Sequence, residues 1–227
     1  MNKDTAARAL EIINTSESPV TMKDLRAAGI STWTVRHLVR SGKIDSPARG
    51  IYRRLVDEGS VYSDWALVSL RYPSAVVCLL SAASFHGMTQ ELPGGLTVAV
   101  PRELGGVPAM GPNFPLEIDS LIWRKPEMFE LGIDTHDIDG VTVPITSPER
   151  TLVDLFRYST FNRSMRDSAV RITDEMFLEC LDRCNSETMG HFSFDTVAAI
   201  ARIFKCYESL RPYTKTVRYV RSEPPSL

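Results

Sequence analysis

The stretch Gly29-Ile30-Ser31-Thr32-Trp33-Thr34-Val35-Arg36-His37-Leu38-Val39-Arg40-Ser41-Gly42 constrains the fold more than any other part of the chain. Glycine closes helices readily, so two glycines bracket a helix that starts at Ser31 or Thr32 and runs to about Ser41. Helical residues advance by about 100°, which gathers Val35, Leu38 and Val39 in one sector and Trp33, Arg36, His37 and Arg40 in the opposing one. The apolar sector must be covered by other elements. The other sector carries two arginines, an imidazole and an indole beside the Thr32 hydroxyl, groups that reach phosphates and base edges in a major groove. Trp33 fits two placements, on that outer face or in the core at the turn.

The residues around this helix supply what would cover it. Ala6, Ala9, Leu10 and Ile13 recur at helical spacing and predict a first helix ending near Asn14 to Ser18. Pro19 breaks it. Thr21 is placed to cap a second short helix closed by Gly29, with Asp24 as a short partner for an imperfect capping box. After Gly42, residues 43–53 read as two short strands around a Pro and Gly turn. Helix, helix, turn, helix and β-flap is the order of a winged helix-turn-helix, with Lys43, Arg49, Arg53 and Arg54 flanking the same surface. Residues 1–55 hold ten Lys and Arg against five acids, and the remainder holds 16 against 23. A basic head on an acidic body suits a polyanion-binding module joined to another domain, although uneven surface charge alone produces the same count.

Beyond Ser60 the pattern changes. Residues 61–72 read as a helix ended by Pro73, Ala75 to Leu80 as a buried strand or helix start, and Ser81 as the cap of a small-residue helix stopped by Gly87. Leu96 to Val100 and Leu116 to Lys125 predict strands. Residues 133–138 and 141–145 flank Asp139-Gly140, a dipeptide suited to a two-residue hairpin turn. Thr146-Ser147-Pro148-Glu149 opens a helix with buried Leu152, Leu155 and Phe156, on which Arg150 and Asp154 can pair. Helices are expected near Ser164 to Asn185 and Phe194 to Ser209. The basic tail from Leu210, with Arg211, Lys215, Arg218 and Arg221, reads as a strand, a second DNA contact or a loose end. The fold class is α+β: a winged head over 1–57, a mixed α/β domain with a small sheet and several helices over 60–210, and a tail over 211–227.

Several function classes find no support. The longest apolar run, Ala75 to Leu80, is far short of the ~20 residues of a membrane-spanning helix, and the first residues lack an export-signal pattern, so a cytoplasmic protein is expected. Four cysteines at 78, 180, 184 and 206 read as free thiols rather than a disulfide framework. Cys180 and Cys184 with His191 and Cys206 include zinc-type donors, yet helical cysteines ordinarily serve as small buried hydrophobes. Asp137-Ile138-Asp139 has the form of a nucleotidyltransferase metal pair without the preceding Gly-Ser. Asp134 heads no calcium loop, because His136 and Ile138 occupy the next ligand positions. Glu-x-Lys and phosphate-binding glycine motifs are absent. His86 with Ser81 or Ser84 lacks an orienting acid. No catalytic residue, metal ligand or cofactor is assigned, and the chain reads as a non-enzyme.

Four segments carry a resemblance to a known family: Arg49-Gly50-Ile51-Tyr52 at the end of the head; Ser81-Ala82-Ala83-Ser84-Phe85-His86-Gly87; Val98-Ala99-Val100-Pro101-Arg102; and Thr146-Ser147-Pro148-Glu149-Arg150-Thr151-Leu152-Val153-Asp154. In order and spacing they resemble the AbiEi antitoxins, transcriptional regulators of bacterial type IV toxin-antitoxin systems, over about residues 5 to 160. Phe85 and Met88 depart from the aliphatic residues expected there, and the last third is only loosely alike. The resemblance implies a protein encoded beside a nucleotidyltransferase-like toxin, whose head binds inverted repeats in its own promoter and represses it. It implies a carboxy-terminal domain needed for antitoxicity, without a stable toxin complex being required. The DNA-contacting set expected is Ser31, Thr32, Trp33, Arg36, His37, Arg40, Lys43, Arg49, Arg53 and Arg54. The competing reading is a protein-interaction module that neutralises a toxin by direct binding.

Overall fold

A computed structural model describes residues 3–55, 59–107, 110–111, 114–123, 125–159, 172–185 and 191–222. The chain forms two compact units. The first comprises Met1–Ser74, Pro108–Leu116 and Thr135–Val143; the second comprises Ala75–Val107, Glu117–Asp134 and Pro144–Leu227.

The first unit runs α1 (Lys3–Thr15), β1 (Val20–Thr21), α2 (Met22–Ala27), α3 (Thr32–Arg40), β2 (Asp45–Ala48), β3 (Ile51–Arg53) and α4 (Ser63–Arg71). Ala6, Ala9, Ile13, Leu25, Ile30, Val35, Leu38 and Ile44 close a single apolar core among the three leading helices and the flap. The capping box on α2 is complete: the Thr21 hydroxyl accepts the Asp24 N–H at 3.3 Å and Asp24 Oδ2 accepts the Thr21 N–H at 3.1 Å. An aspartate is long enough here because the Thr21 hydroxyl also donates to it, at 2.6 Å. Both α2 and α3 end in the same way. Ile30 N–H returns to Leu25 O and Lys43 N–H to Leu38 O, with Gly29 and Gly42 at positive φ between, so each glycine stops its helix for the conformational reason expected of it.

The flap is a three-stranded antiparallel sheet in the order β1-β3-β2. Its third strand, β1, is too short to be read from sequence; Val20 and Thr21 pair with Tyr52 and Ile51 across the break that Pro19 makes. Ala48 faces Ile51, leaving Arg49 and Gly50 as a two-residue turn with Gly50 at φ +80°.

The second unit contributes β4 (Val76–Val77), α5 (Leu79–Phe85), β5 (Leu96–Pro101) and β6 (Ile118–Trp123), followed by the hairpin β7 (Ile133–Ile138) and β8 (Val141–Thr146), whose tip groups with the first unit. Helices α6 (Pro148–Tyr158), α7 (Asp174–Cys184), α8 (Phe194–Ile203) and α9 (Tyr207–Ser222) complete it. The strand order is β6-β5-β4-β8-β7, with β5 parallel to β6 and antiparallel to β4. Phe156, Phe177 and Tyr213 meet with ring centroids 5.4 to 5.9 Å apart and tie α6, α7 and α9 together.

Two local expectations are corrected. Ser81 does not cap α5, which begins two residues earlier with Cys78 at its N-cap; Ser81 is fully buried and its Oγ accepts the Thr97 N–H at 2.9 Å. The tail from Leu210, read as a strand, a second DNA contact or a loose end, is helical as far as Ser222, continuing α9 through Pro212 and anchored by buried Leu210 and by Tyr213. Of the helix expected over 164–185, the described part is α7; residues 164–171 lie outside the described residues.

Candidate nucleic-acid interface

Helix α3 carries the candidate surface, and its position is fixed by its buried side. Val35 and Leu38 are fully buried, Thr34 is buried and Val39 is half-buried, while Trp33, Arg36, His37 and Arg40 are exposed. The two placements left open for Trp33 resolve to the outer face, where the indole is 59% exposed. It is not loose there: Trp33 and His37, one turn apart, stack with ring centroids 5.8 Å apart and planes inclined by 13°.

The start of α3 is occupied by its own chemistry. Ser31 caps the helix, its Oγ accepting the Thr34 N–H at 3.2 Å and lying 3.0 Å from Thr34 Oγ1. Thr32 Oγ1 accepts a hydrogen bond from Arg26 Nη2 at 3.1 Å. Both hydroxyls are therefore engaged within the protein before any partner arrives.

The flap divides its cations into two kinds. Arg53 is half-buried and its Nε donates to Asp45 Oδ2 at 2.9 Å. Lys43 and Arg49 are exposed, and among the described residues neither they nor Arg36 and Arg40 pair with a carboxylate. Arg54, just past β3, is exposed as well. The turn that carries Arg49 is held on both sides: Met110 O accepts the Arg49 N–H at 2.8 Å, and Gly50 O accepts the Met22 N–H at 2.8 Å. Tyr52 on β3 is buried, and its phenol is pushed up by burial and pulled back down by the charges of Arg36 and, less, Arg26.

Arg26 lies outside the set that the sequence alone suggests. It is exposed on the last turn of α2 and joins the surface through Thr32. Its only signal in the sequence is a basic residue three positions ahead of Gly29, which does not reveal that α2 delivers it to the start of α3.

Of the residues considered for catalysis, His86, Ser81, Asp139 and Asp137 make hydrogen bonds within the protein. His86 Nε2 donates to Thr146 O at 2.7 Å, Ser81 receives the Thr97 N–H, and Asp139 accepts from Ser60 N–H at 3.1 Å and Ser63 Oγ at 2.7 Å at the start of α4. Asp137 Oδ1 accepts the Gly140 N–H at 3.2 Å within the hairpin turn. All four cysteines are buried free thiols. Burial pushes Cys180 up to about 12 and Cys206 up to about 11, which leaves almost no thiolate at neutral pH.

The winged-helix head and the α/β body are each matched by a family model. Residues 9–59 match the family described as transcriptional regulator, AbiEi antitoxin, and residues 75–190 match the AbiEi antitoxin C-terminal domain. The chain belongs to the AbiEi antitoxin family. No curated protein matches it. Among the described residues, no helix is long and apolar enough to cross a membrane.

Proposed function

We propose that this chain is an autorepressor and antitoxin that grips double-stranded DNA in its own promoter with α3 and the flap. The observation that carries the reading is the outer face of α3: Arg36, His37, Arg40 and the stacked Trp33 are exposed on a helix whose opposite face buries Val35 and Leu38 completely, and the arginines have no carboxylate partner among the described residues. In this reading the indole and Arg36 or Arg40 meet base edges, with arginine able to bridge both guanine acceptors, while Lys43, Arg49, Arg53 and Arg54 meet phosphates. Family membership supports regulation and antitoxicity. The finer steps, binding to inverted repeats and opposition to a nucleotidyltransferase-like toxin encoded alongside, are part of this proposal.

Gel shift of the intact chain on the DNA upstream of its gene tests it. A complex that weakens steeply as salt rises is expected; no complex at low salt overturns the DNA-binding reading. Gel filtration of the chain with the neighbouring gene product tests the toxin arm, with separate elution expected and stable co-elution pointing to direct neutralisation instead.

A further inference from the structure

Two arginines stand on the elements that meet at the beginning of α3, Arg26 on the last turn of α2 and Arg36 on α3 itself. Arg26 reaches from α2 to donate to Thr32 Oγ1 at 3.1 Å, and Arg36 stands one helical turn beyond Thr32. Both are exposed, and both act on the buried phenol of Tyr52. Neither pairs with a carboxylate among the described residues, whereas Arg53 on the neighbouring strand does. Two cations that act on one phenol without a carboxylate partner among the described residues repel one another, and an external anion relieves that repulsion. Arg26 is tied at one nitrogen, Nη2, while the residue stays exposed, so its other N–H donors remain as part of a planar guanidinium fork suited to phosphate oxygens.

We propose that Arg26 grips a backbone phosphate at the DNA interface, sharing one stretch of strand with Arg36, and that Thr32 is the positioning residue that aims it. This rests on the DNA-binding reading above and adds to it a residue from outside α3 and the flap. It also gives the Thr32 hydroxyl the task of holding an arginine, in place of reading a base.

The test is the salt dependence of binding, measured by fluorescence anisotropy with the full chain, on its upstream DNA and on an unrelated duplex of equal length. Removing one cation that neutralises a phosphate makes the slope of log K against log salt shallower by about 0.9. Arg26→Ala is expected to flatten the slope by about that much on both duplexes alike, since a grip on phosphate carries no sequence information. Thr32→Val is expected to reproduce part of that change, Thr32→Ser to restore the wild-type slope, and Thr32→Val on top of Arg26→Ala to add nothing. Arg8→Ala on α1 serves as the surface-charge control, and thermal melts check folding. An unchanged slope in Arg26→Ala, or a Thr32→Val effect that adds fully to that of Arg26→Ala, overturns the assignment while leaving the DNA-binding reading standing. A wild-type chain that binds neither duplex overturns both.

Discussion

The head and the body put the same two residue types to opposite uses. In the body, Arg150 is completely buried on α6: its Nε donates to Asp154 Oδ2 at 2.7 Å, its Nη1 to Leu131 O at 2.6 Å and Met128 O at 3.2 Å. Its guanidinium lies 4.5 Å from the Trp123 ring centroid and 4.3 Å from that of Phe204. Arg157 Nη1 also reaches Asp154, at 2.8 Å, so one carboxylate serves two cations. In the head, Arg36 and Arg40 are exposed without carboxylate partners among the described residues, and Trp33 stacks on His37 in the open. A buried charge must be compensated from within the protein, so the body uses its arginine and tryptophan for cohesion. The head leaves its own in the open.

That contrast can be broken in order of expected effect. Arg150→Met is expected to cost about 3–5 kcal/mol in urea denaturation, because it removes the closer of the two cations on Asp154, takes the donor from the Met128 and Leu131 carbonyls and puts an uncharged chain between two rings; a cost below about 1 kcal/mol would show the cluster to be dispensable. Trp33→Ala is expected to leave the melting temperature almost unchanged, while eroding the preference for upstream DNA over an unrelated duplex by about 1–3 kcal/mol. A large fall in stability with discrimination intact would move Trp33 to the side of Trp123. Asp139→Ala removes the acceptor of Ser60 N–H and Ser63 Oγ just ahead of α4 and is expected to cost about 1 kcal/mol, as loss of a hydrogen bond does. Arg53→Ala breaks a half-exposed pair with Asp45 and is expected to cost under about 1 kcal/mol. It should also flatten the salt slope less than Arg49→Ala, because Arg53 already has a carboxylate beside it.

Legibility in the sequence depends on how local the cause is. The faces of α3 follow from 100° arithmetic and two flanking glycines, and the hairpin turn from Asp139-Gly140, which adopt φ +53° and +72°. Arg150 and Asp154 are legible as a pair by their spacing, but not as a buried one, since Trp123, Phe204 and the carbonyls of Met128 and Leu131 come from distant parts of the sequence. Ser81 misleads because a serine before small residues resembles a cap, and only the fold reveals that Thr97 N–H needs it. The last helix is obscured by Pro212 and its polar composition; packing of Leu210 and Tyr213 outweighs both. At the candidate interface, every residue on the outer face of α3 can be read from sequence, and Arg26 cannot, because its place depends on how α2 meets α3.

The most direct measurement of the central claim compares the wild-type chain with Arg36→Ala/Arg40→Ala on upstream DNA across a range of salt concentrations. The double variant is expected to keep its fold, to bind at least roughly tenfold more weakly, and to show a salt slope shallower by up to about 1.8. A folded double variant with wild-type affinity and slope would contradict the claim.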